Sequence, residues 1–370
     1  MASGTVFNDA NGNGQRDPNE KGLAGVGVSN GQAIVETDAN GRWQLFVTDD
    51  TILFVLKPSG WMTPLNAHKL PQFYYIHKPK GSPPSRFLGT KPTGPLPKSI
   101  DFPLRKQAEP DKFRAVFFGD PQPTSQTQID YIANDVVAEL VGTDAKFGVT
   151  LGDIMFDDLS LFGSLNRTVA LIGIPWYNVI GNHDLNFEAK LDQYSDETFE
   201  TVYGPPYYSY DYGKVHFIVL DNVEWYHDEA RKRGVVGLPR RIEAFAESVA
   251  QRLSQPLHLG REFRRVVGQE LSTLAQLVEP GEALTLRGGE RSGFFEVLEH
   301  PRAGLGGLFG NYAKLGLGVA GMGLDLEPDA ELVFRFPDGG HVGAAVAWDH
   351  GNLLAAVLIK TPSIPRCART

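Results

Sequence analysis

Apolar positions over residues 4–56 fall in short runs broken by turn dipeptides. The runs are Thr5-Val6-Phe7, Val26-Gly27-Val28, Ala33-Ile34-Val35, Arg42-Trp43-Gln44-Leu45-Phe46 and Thr51-Ile52-Leu53-Phe54-Val55. Runs this short, rich in β-branched and aromatic residues, predict strands. Asn30-Gly31 and Asn40-Gly41 predict hairpin turns, because Asn and Gly tolerate positive φ. The pattern implies a small β-sandwich. Residues 58–110 are rich in proline and glycine, as in Gly81-Ser82-Pro83-Pro84 and Pro95-Leu96-Pro97. They read as an extended edge and linker rather than a core.

From Phe113 the period changes. Apolar runs at 113–118, 147–151 and 176–180 alternate with helical patterns at 129–140 and 159–172. Strands alternating with helices of this length predict crossover units and a sheet that is at least partly parallel. A hairpin-like segment at 207–211 and a strand at 215–220 follow. Beyond residue 234 come helical periods at 241–253 and 261–277, a glycine-rich run without period at 303–325, and β-like runs at 332–336 and 353–359. These divisions give three parts: a β module with its Pro-rich extension (1–105), an α/β core (112–233) and an unassigned remainder (234–370).

Composition narrows the function. The formal charge of -9 argues against a dedicated nucleic-acid binder, since phosphate backbones reward a basic surface. The basic run at Arg231-Lys232-Arg233 reads as a solvated face. Cys367 is the single cysteine, so neither an intrachain disulfide nor a cysteine zinc site can form. No apolar run is long enough to cross a membrane. The chain opens Met1-Ala2-Ser3-Gly4 and enters a strand at once, so no signal peptide is visible.

The candidate chemistry lies where the middle strands end. The first predicted strand ends in Gly119-Asp120-Pro121-Gln122, the second in Gly152-Asp153, the third in Gly181-Asn182-His183-Asp184. Ligands of open α/β sheets bind outside the carboxyl ends of the strands. Three strands in succession therefore deliver Asp, Asp and Asn-His to one rim. Oxygen donors with a histidine nearby suit Mn²⁺, Fe or Zn²⁺. An aspartate bridging two such ions would clamp a phosphoryl group and generate hydroxide at neutral pH.

These three motifs, with Tyr207-Tyr208-Ser209-Tyr210-Asp211-Tyr212-Gly213 and the strand Val215 to Leu220 ending in Asp221, resemble the calcineurin-like metallophosphoesterases. The likeness runs over about residues 4–230 and is nearest to the bacterial branch with an N-terminal β-domain. It implies an αββα sandwich, two divalent metal ions and hydrolysis of a small phosphoester. Carried over, Asp120 binds the first metal, Asp153 bridges both and Asn182 binds the second. His183 faces the substrate as proton donor or phosphate contact, and Asp184 orients its ring. Gln122 stands where the family usually has histidine and still offers a carbonyl oxygen to the first metal. Asp157 lies one residue beyond the common Gly-Asp-x-x-Asp spacing. Neither it nor Asp158 is taken as a ligand, and Asp158 is given the structural role.

The family closes its site with a lone histidine and a Gly-His-x-His motif. After His183 this chain has His216, His227, His258, His300, His341 and His350, none in such a motif. His216, beside a buried strand, reads as structural. The spacing of His341 and His350 is not that of ligands. Relatives continue with Tyr-Arg-Gly-Gly where this chain has Leu238-Pro239-Arg240-Arg241. Codons such as CTA-CCG-CGG-CGG, read one base out of phase, spell Tyr-Arg-Gly-Gly. The remainder is thus either divergent or translated in a shifted frame.

A second motif lies near the N terminus. Asp9, Asn11, Asn13, Gly14 and Glu20 match the calcium-loop pattern D-x-[DN]-x-[DN]-G-x₅-E, and Asp17 is a further oxygen donor within the loop. The flanks are strand-like, so the loop resembles those of surface β-sandwich repeats rather than an EF-hand. Calcium there would rigidify the β module. With the family resemblance, the loop points to an extracytoplasmic protein. Two functions follow: a metal-dependent phosphoester hydrolase, or a calcium-stabilised surface-binding protein with a relic phosphoesterase domain.

Overall fold

Strand Arg42–Leu45 (β4) exposes Arg42 and Gln44 and buries Trp43 and Leu45, the period of two expected of a half-buried strand. It pairs antiparallel with Ala2–Asn8 (β1), which pairs parallel with Phe102–Lys106 (β8), whose outer neighbour is Trp61–Met62 (β6). A second sheet has the order Ile34–Glu36 (β3), Gly27–Ser29 (β2), Thr51–Val55 (β5) and Tyr74–His77 (β7), all antiparallel. The computed structural model describes residues 1–221 and 223, and beyond them the backbone of five strands between 285 and 361.

The five strands expected over 4–56 all form. Residues 58–110 are more than a linker: they supply β6, β7 and β8, and β8 lies inside its sheet. Phe102 and Leu104 are buried in it. Proline content hid this alternation. Pro103 is tolerated because β6 pairs only with Arg105 and Lys106, so no ladder partner is needed there on that side.

Val116–Phe118 (β9), Gly148–Leu151 (β10) and Trp176–Val179 (β11) form a parallel sheet with β10 in the middle. Gly148 lies opposite Trp176, and a Cβ at Gly148 would overlap the indole ring. Between the strands run Gln126–Ile132 (α1), a wide turn at Ala133–Val137, Ala138–Leu140 (α2) and Phe162–Val169 (α3). Ser125 caps α1 by accepting the Gln128 N–H. Helix α3 buries Phe162, Leu165, Asn166 and Val169, one face of the 3.6-residue period. Glu197–Tyr203 (α4) precedes the hairpin Tyr208–Tyr212 (β12) and Val215–Leu220 (β13).

Side chains of the parallel strands divide between two cores. Phe147, Val149, Leu151, Tyr177 and Val179 face β12 and β13 in one, while Trp176 and Ile180 meet Ile129, Val137, Phe162 and Phe199 in the other. The order is helices, parallel sheet, then the sheet of β12 and β13. The first core continues without a break into the β module through Val28, Leu53, Phe54, Leu56 and Phe73. Tyr177 stacks on Tyr210 at 4.0 Å, and Phe73 meets Tyr208 at 5.1 Å.

Asn352–Thr361 (β18), His341–Asp349 (β17) and Leu332–Arg335 (β16) extend the sheet of β12 and β13, with β18 antiparallel to β13. Thr285–Gly288 (β14) and Phe295–Glu299 (β15) form a separate hairpin. The β-like runs expected at 332–336 and 353–359 thus fall on strands. The helical periods at 241–253 and 261–277, the run at 303–325, the basic run at 231–233 and His227, His258, His300 and His350 lie outside the described residues. Among the described residues no helix is long and apolar enough to cross a membrane.

Candidate metal centre

The register of the parallel sheet brings the three motifs to one end. Phe118, Thr150 and Asn178 stand side by side, so Asp120, Asp153 and Asn182 leave adjacent strands within a few residues of one another. Backbone bonds tie the loops together. The Gln122 N–H donates to Asp153 O at 3.0 Å, and the Asp157 N–H to His183 O at 3.2 Å. The His183 N–H donates to Asp153 Oδ1 at 3.1 Å. A Cβ at Gly181 would overlap the Asp153 amide nitrogen and carboxylate, so glycine is what lets the third loop approach the second.

The backbone here is unusual. Among the described residues five non-glycine residues have positive φ, and four are at this rim: Asp120 at 53°, Gln122 at 33°, Asp153 at 44° and Asp157 at 61°. Left-handed backbone costs a non-glycine residue roughly 1–2 kcal/mol. Such outliers persist where the surroundings over-determine them, and they collect at functional sites.

Asp153 and Asp184 are both wholly buried. Asp184 accepts three backbone N–H groups, from Gly181 at 2.8 Å and from Ile154 and Met155 at 3.0 Å. Burial pushes its carboxyl well above the ordinary range and the charge of Asp153 adds to that, while the amides oppose it. The carboxylate set on the His183 ring is therefore that of Asp157, whose Oδ1 lies 2.7 Å from Nδ1, and not that of Asp184 as expected. The longer spacing is absorbed by the left-handed turn at Asp157. Phe156 stacks on the same ring at 4.4 Å. An acidic residue four beyond Asp153 was the signal for this pairing. Asp158 does take a structural part, capping the turn at Leu159–Leu161 through Ser160. His216 is likewise structural: it lies within β13, buried, with Nδ1 on Asp211 across the hairpin.

The donors fit part of a hard-cation site. Asn182 Oδ1 is buried without a hydrogen-bond partner, the state of an amide oxygen shaped to meet a cation. It lies on the rim with the carboxylate of Asp153 and the side chains of Asp120 and Gln122, an oxygen set suited to divalent ions. Among the described residues no group of three or more His, Cys, Asp and Glu side chains converges as a metal cluster. Among the described residues the rim thus assembles amide and carboxylate oxygens without a cluster of histidine ligands.

The N-terminal loop closes on itself. Asp9, nearly fully buried, accepts the Gly12 and Asn13 amides through Oδ1 and the Gly14 amide through Oδ2. Asp17 Oδ2 accepts from Asn11 at 2.7 Å and Asn13 at 3.0 Å. Glu20 reaches back to the amides of Ala10 and Asp17. All five expected residues therefore meet around one turn.

Residues 10–91 match the family model for the N-terminal part of calcineurin-like phosphoesterases. No curated protein and no solved structure matches the chain.

Proposed function

We propose that the chain is a metal-dependent phosphoester hydrolase whose centre is the rim of the parallel sheet, with residues 1–105 as its β module and 112–233 as the first part of an αββα catalytic domain. The observation that carries this reading is the concentration of left-handed backbone at Asp120, Gln122, Asp153 and Asp157. Strain of this kind is retained where side chains must converge. The match of residues 10–91 supports a phosphoesterase at the coarse level.

In this reading Asp120 and Gln122 would hold one divalent ion (Mn, Fe or Zn), Asn182 would hold a second and Asp153 would serve both. Bound ions of this kind polarise a phosphoryl oxygen and make hydroxide available near neutral pH. The chain's own groups do the rest. Asp184 gathers three loop amides and so fixes where Asp153 and Asn182 stand. In its doubly protonated form His183 would keep its Nδ1–H in a hydrogen bond to Asp157 and pass its Nε2 proton to the leaving-group oxygen, ending as the neutral imidazole. Proton transfer from a positioned group contributes typically about 10²–10⁴-fold. The loop from Asp9 to Glu20 takes calcium as a structural ion.

The test is metal content. Asp153→Ala should release both ions from protein loaded with Mn²⁺, because its carboxylate serves each. His183→Ala should keep both. Equal loss in the two variants would make His183 a ligand and end the proton-donor assignment. Retention in both would remove the rim as the metal site.

A further inference from the structure

The segment of the β module between residues 69 and 90 runs across the catalytic half and touches it at every stage. At its start Lys69, the fifth residue with left-handed φ (62°), turns its carbonyl onto the Trp176 N–H at 3.0 Å. Trp176 belongs to β11, an edge of the parallel sheet, so this contact occupies an otherwise open edge. Leu70 and Phe87 then enter the core beneath the helices.

The middle of the segment is held by charge. Lys78 is 4% exposed. Its ammonium meets Glu197, lies 2.9 Å from Asp50 and 3.8 Å from Glu200, and so joins the turn before β5 to the first turn of α4. Burial works against its charge, but the carboxylates of Glu200, Glu197 and Asp50 outweigh burial and raise its pKa. Ser82 donates to the other oxygen of Glu197, and the hydroxyls of Thr90 and Thr201 lie 2.8 Å apart.

The far contact reaches the candidate centre. Ser85 Oγ donates to Asn186 Oδ1 at 3.1 Å. Asn186 is wholly buried and donates from Nδ2 to Thr198 of α4 at 2.9 Å, and its N–H meets Ser195 O at 2.7 Å. Two residues before it stands Asp184, which holds the amides of Gly181, Ile154 and Met155. Hydrogen bonds therefore run from the β module and from α4 to Asn186, and the chain itself joins Asn186 to Asp184 and the turn carrying Asn182 and His183.

We infer that residues 69–90 are a positioning strap for the Asn182–Asn186 turn, with Lys78 as its buried anchor and Ser85 as its contact with the turn. The strap explains why the β module accompanies this half-site: it holds from a second side a loop that α4 holds through Thr198. The inference stands on the contacts, and its link to catalysis rests on the function proposed above.

Amide hydrogen exchange in the full chain, followed by mass spectrometry, tests it. Ser85→Ala removes one hydrogen bond and should speed exchange over residues 181–189 by about fivefold. Exchange over 148–153 should not change, and Ser85→Thr, which keeps the donor, should restore the wild-type rate over 181–189. Lys78→Met should extend the faster exchange to 197–203; if it does not fold, Ser85→Ala and Ser85→Thr decide. Unchanged exchange over 181–189 in Ser85→Ala overturns the strap, as does an equal rise over 148–153 or a failure of threonine to rescue. Mn²⁺ binding, read by electron paramagnetic resonance on the same samples, separates the two claims. Weaker Mn²⁺ binding in Ser85→Ala, restored in Ser85→Thr, ties the strap to the metal rim. No Mn²⁺ bound by the wild type would sink the metal reading, while the exchange data still judge the strap.

Discussion

His183 is positioned by two residues of one loop, Asp157 through Nδ1 and Phe156 through its ring face. Neither needs to touch a metal for this. Asp157→Ala should therefore leave the metal content unchanged and lower kcat, by less than His183→Ala, whose loss should reach about 10²–10⁴-fold. Steady-state rates beside metal analysis check this, and metal loss in Asp157→Ala would make Asp157 a ligand instead. The rim residues were legible in the sequence because glycine followed by Asp or Asn marks each strand end. The ring partner was not, because a one-residue change of spacing is read correctly only once the φ of Asp157 is known. Nor could the sequence show that Asp184 spends its carboxylate on three backbone amides, since those donors come from two separate loops.

Among the elements, strands β1 to β5 and the helix at α3 follow directly from their periods. Strand β8 does not, since its two buried residues flank a proline and its parallel partner β1 lies about a hundred residues away. The wide turn in the first helix was also hidden, because a change of helical type leaves the apolar spacing nearly intact. The loop from Asp9 to Glu20 was legible in full, as a pattern of fixed offsets, and its side chains do meet. Calcium at about a hundred times its Kd should add roughly 2.7 kcal/mol to the stability of the state that binds it. Thermal melts of the intact protein with calcium and with chelator should differ accordingly. Glu20→Ala should lose most of that difference; melts indifferent to calcium would remove the ion from the loop.

At the scale of the molecule, the β module and the α/β half share a core. The link is also polar. Lys57, at the end of β5, bridges to residue 210 of β12 through its backbone, and its ammonium reaches the carbonyl of Asp211. Its ammonium lies 2.7 Å from Glu109, whose side chain is 2% exposed and accepts the amides of Gly60 and Gly213. Burial lowers the Lys57 pKa, and the Glu109 carboxylate opposes that. Lys57→Met would strand a buried carboxylate, at a cost of about 3–5 kcal/mol. Urea unfolding should show that loss in one transition seen alike by fluorescence and by exchange in both halves; two separate transitions would deny the shared core. The sequence placed the boundary near residues 105–112 but could not show that contacts cross it, because each side reads as complete in its own period. The most direct test of the whole account is hydrolysis of an aryl phosphodiester by metal-stripped protein before and after Mn²⁺ is restored. The account predicts turnover that appears with Mn²⁺, is absent in Asp153→Ala and is reduced in His183→Ala. No turnover by wild-type protein shown to carry Mn²⁺ at this rim, or equal turnover in Asp153→Ala, would contradict it.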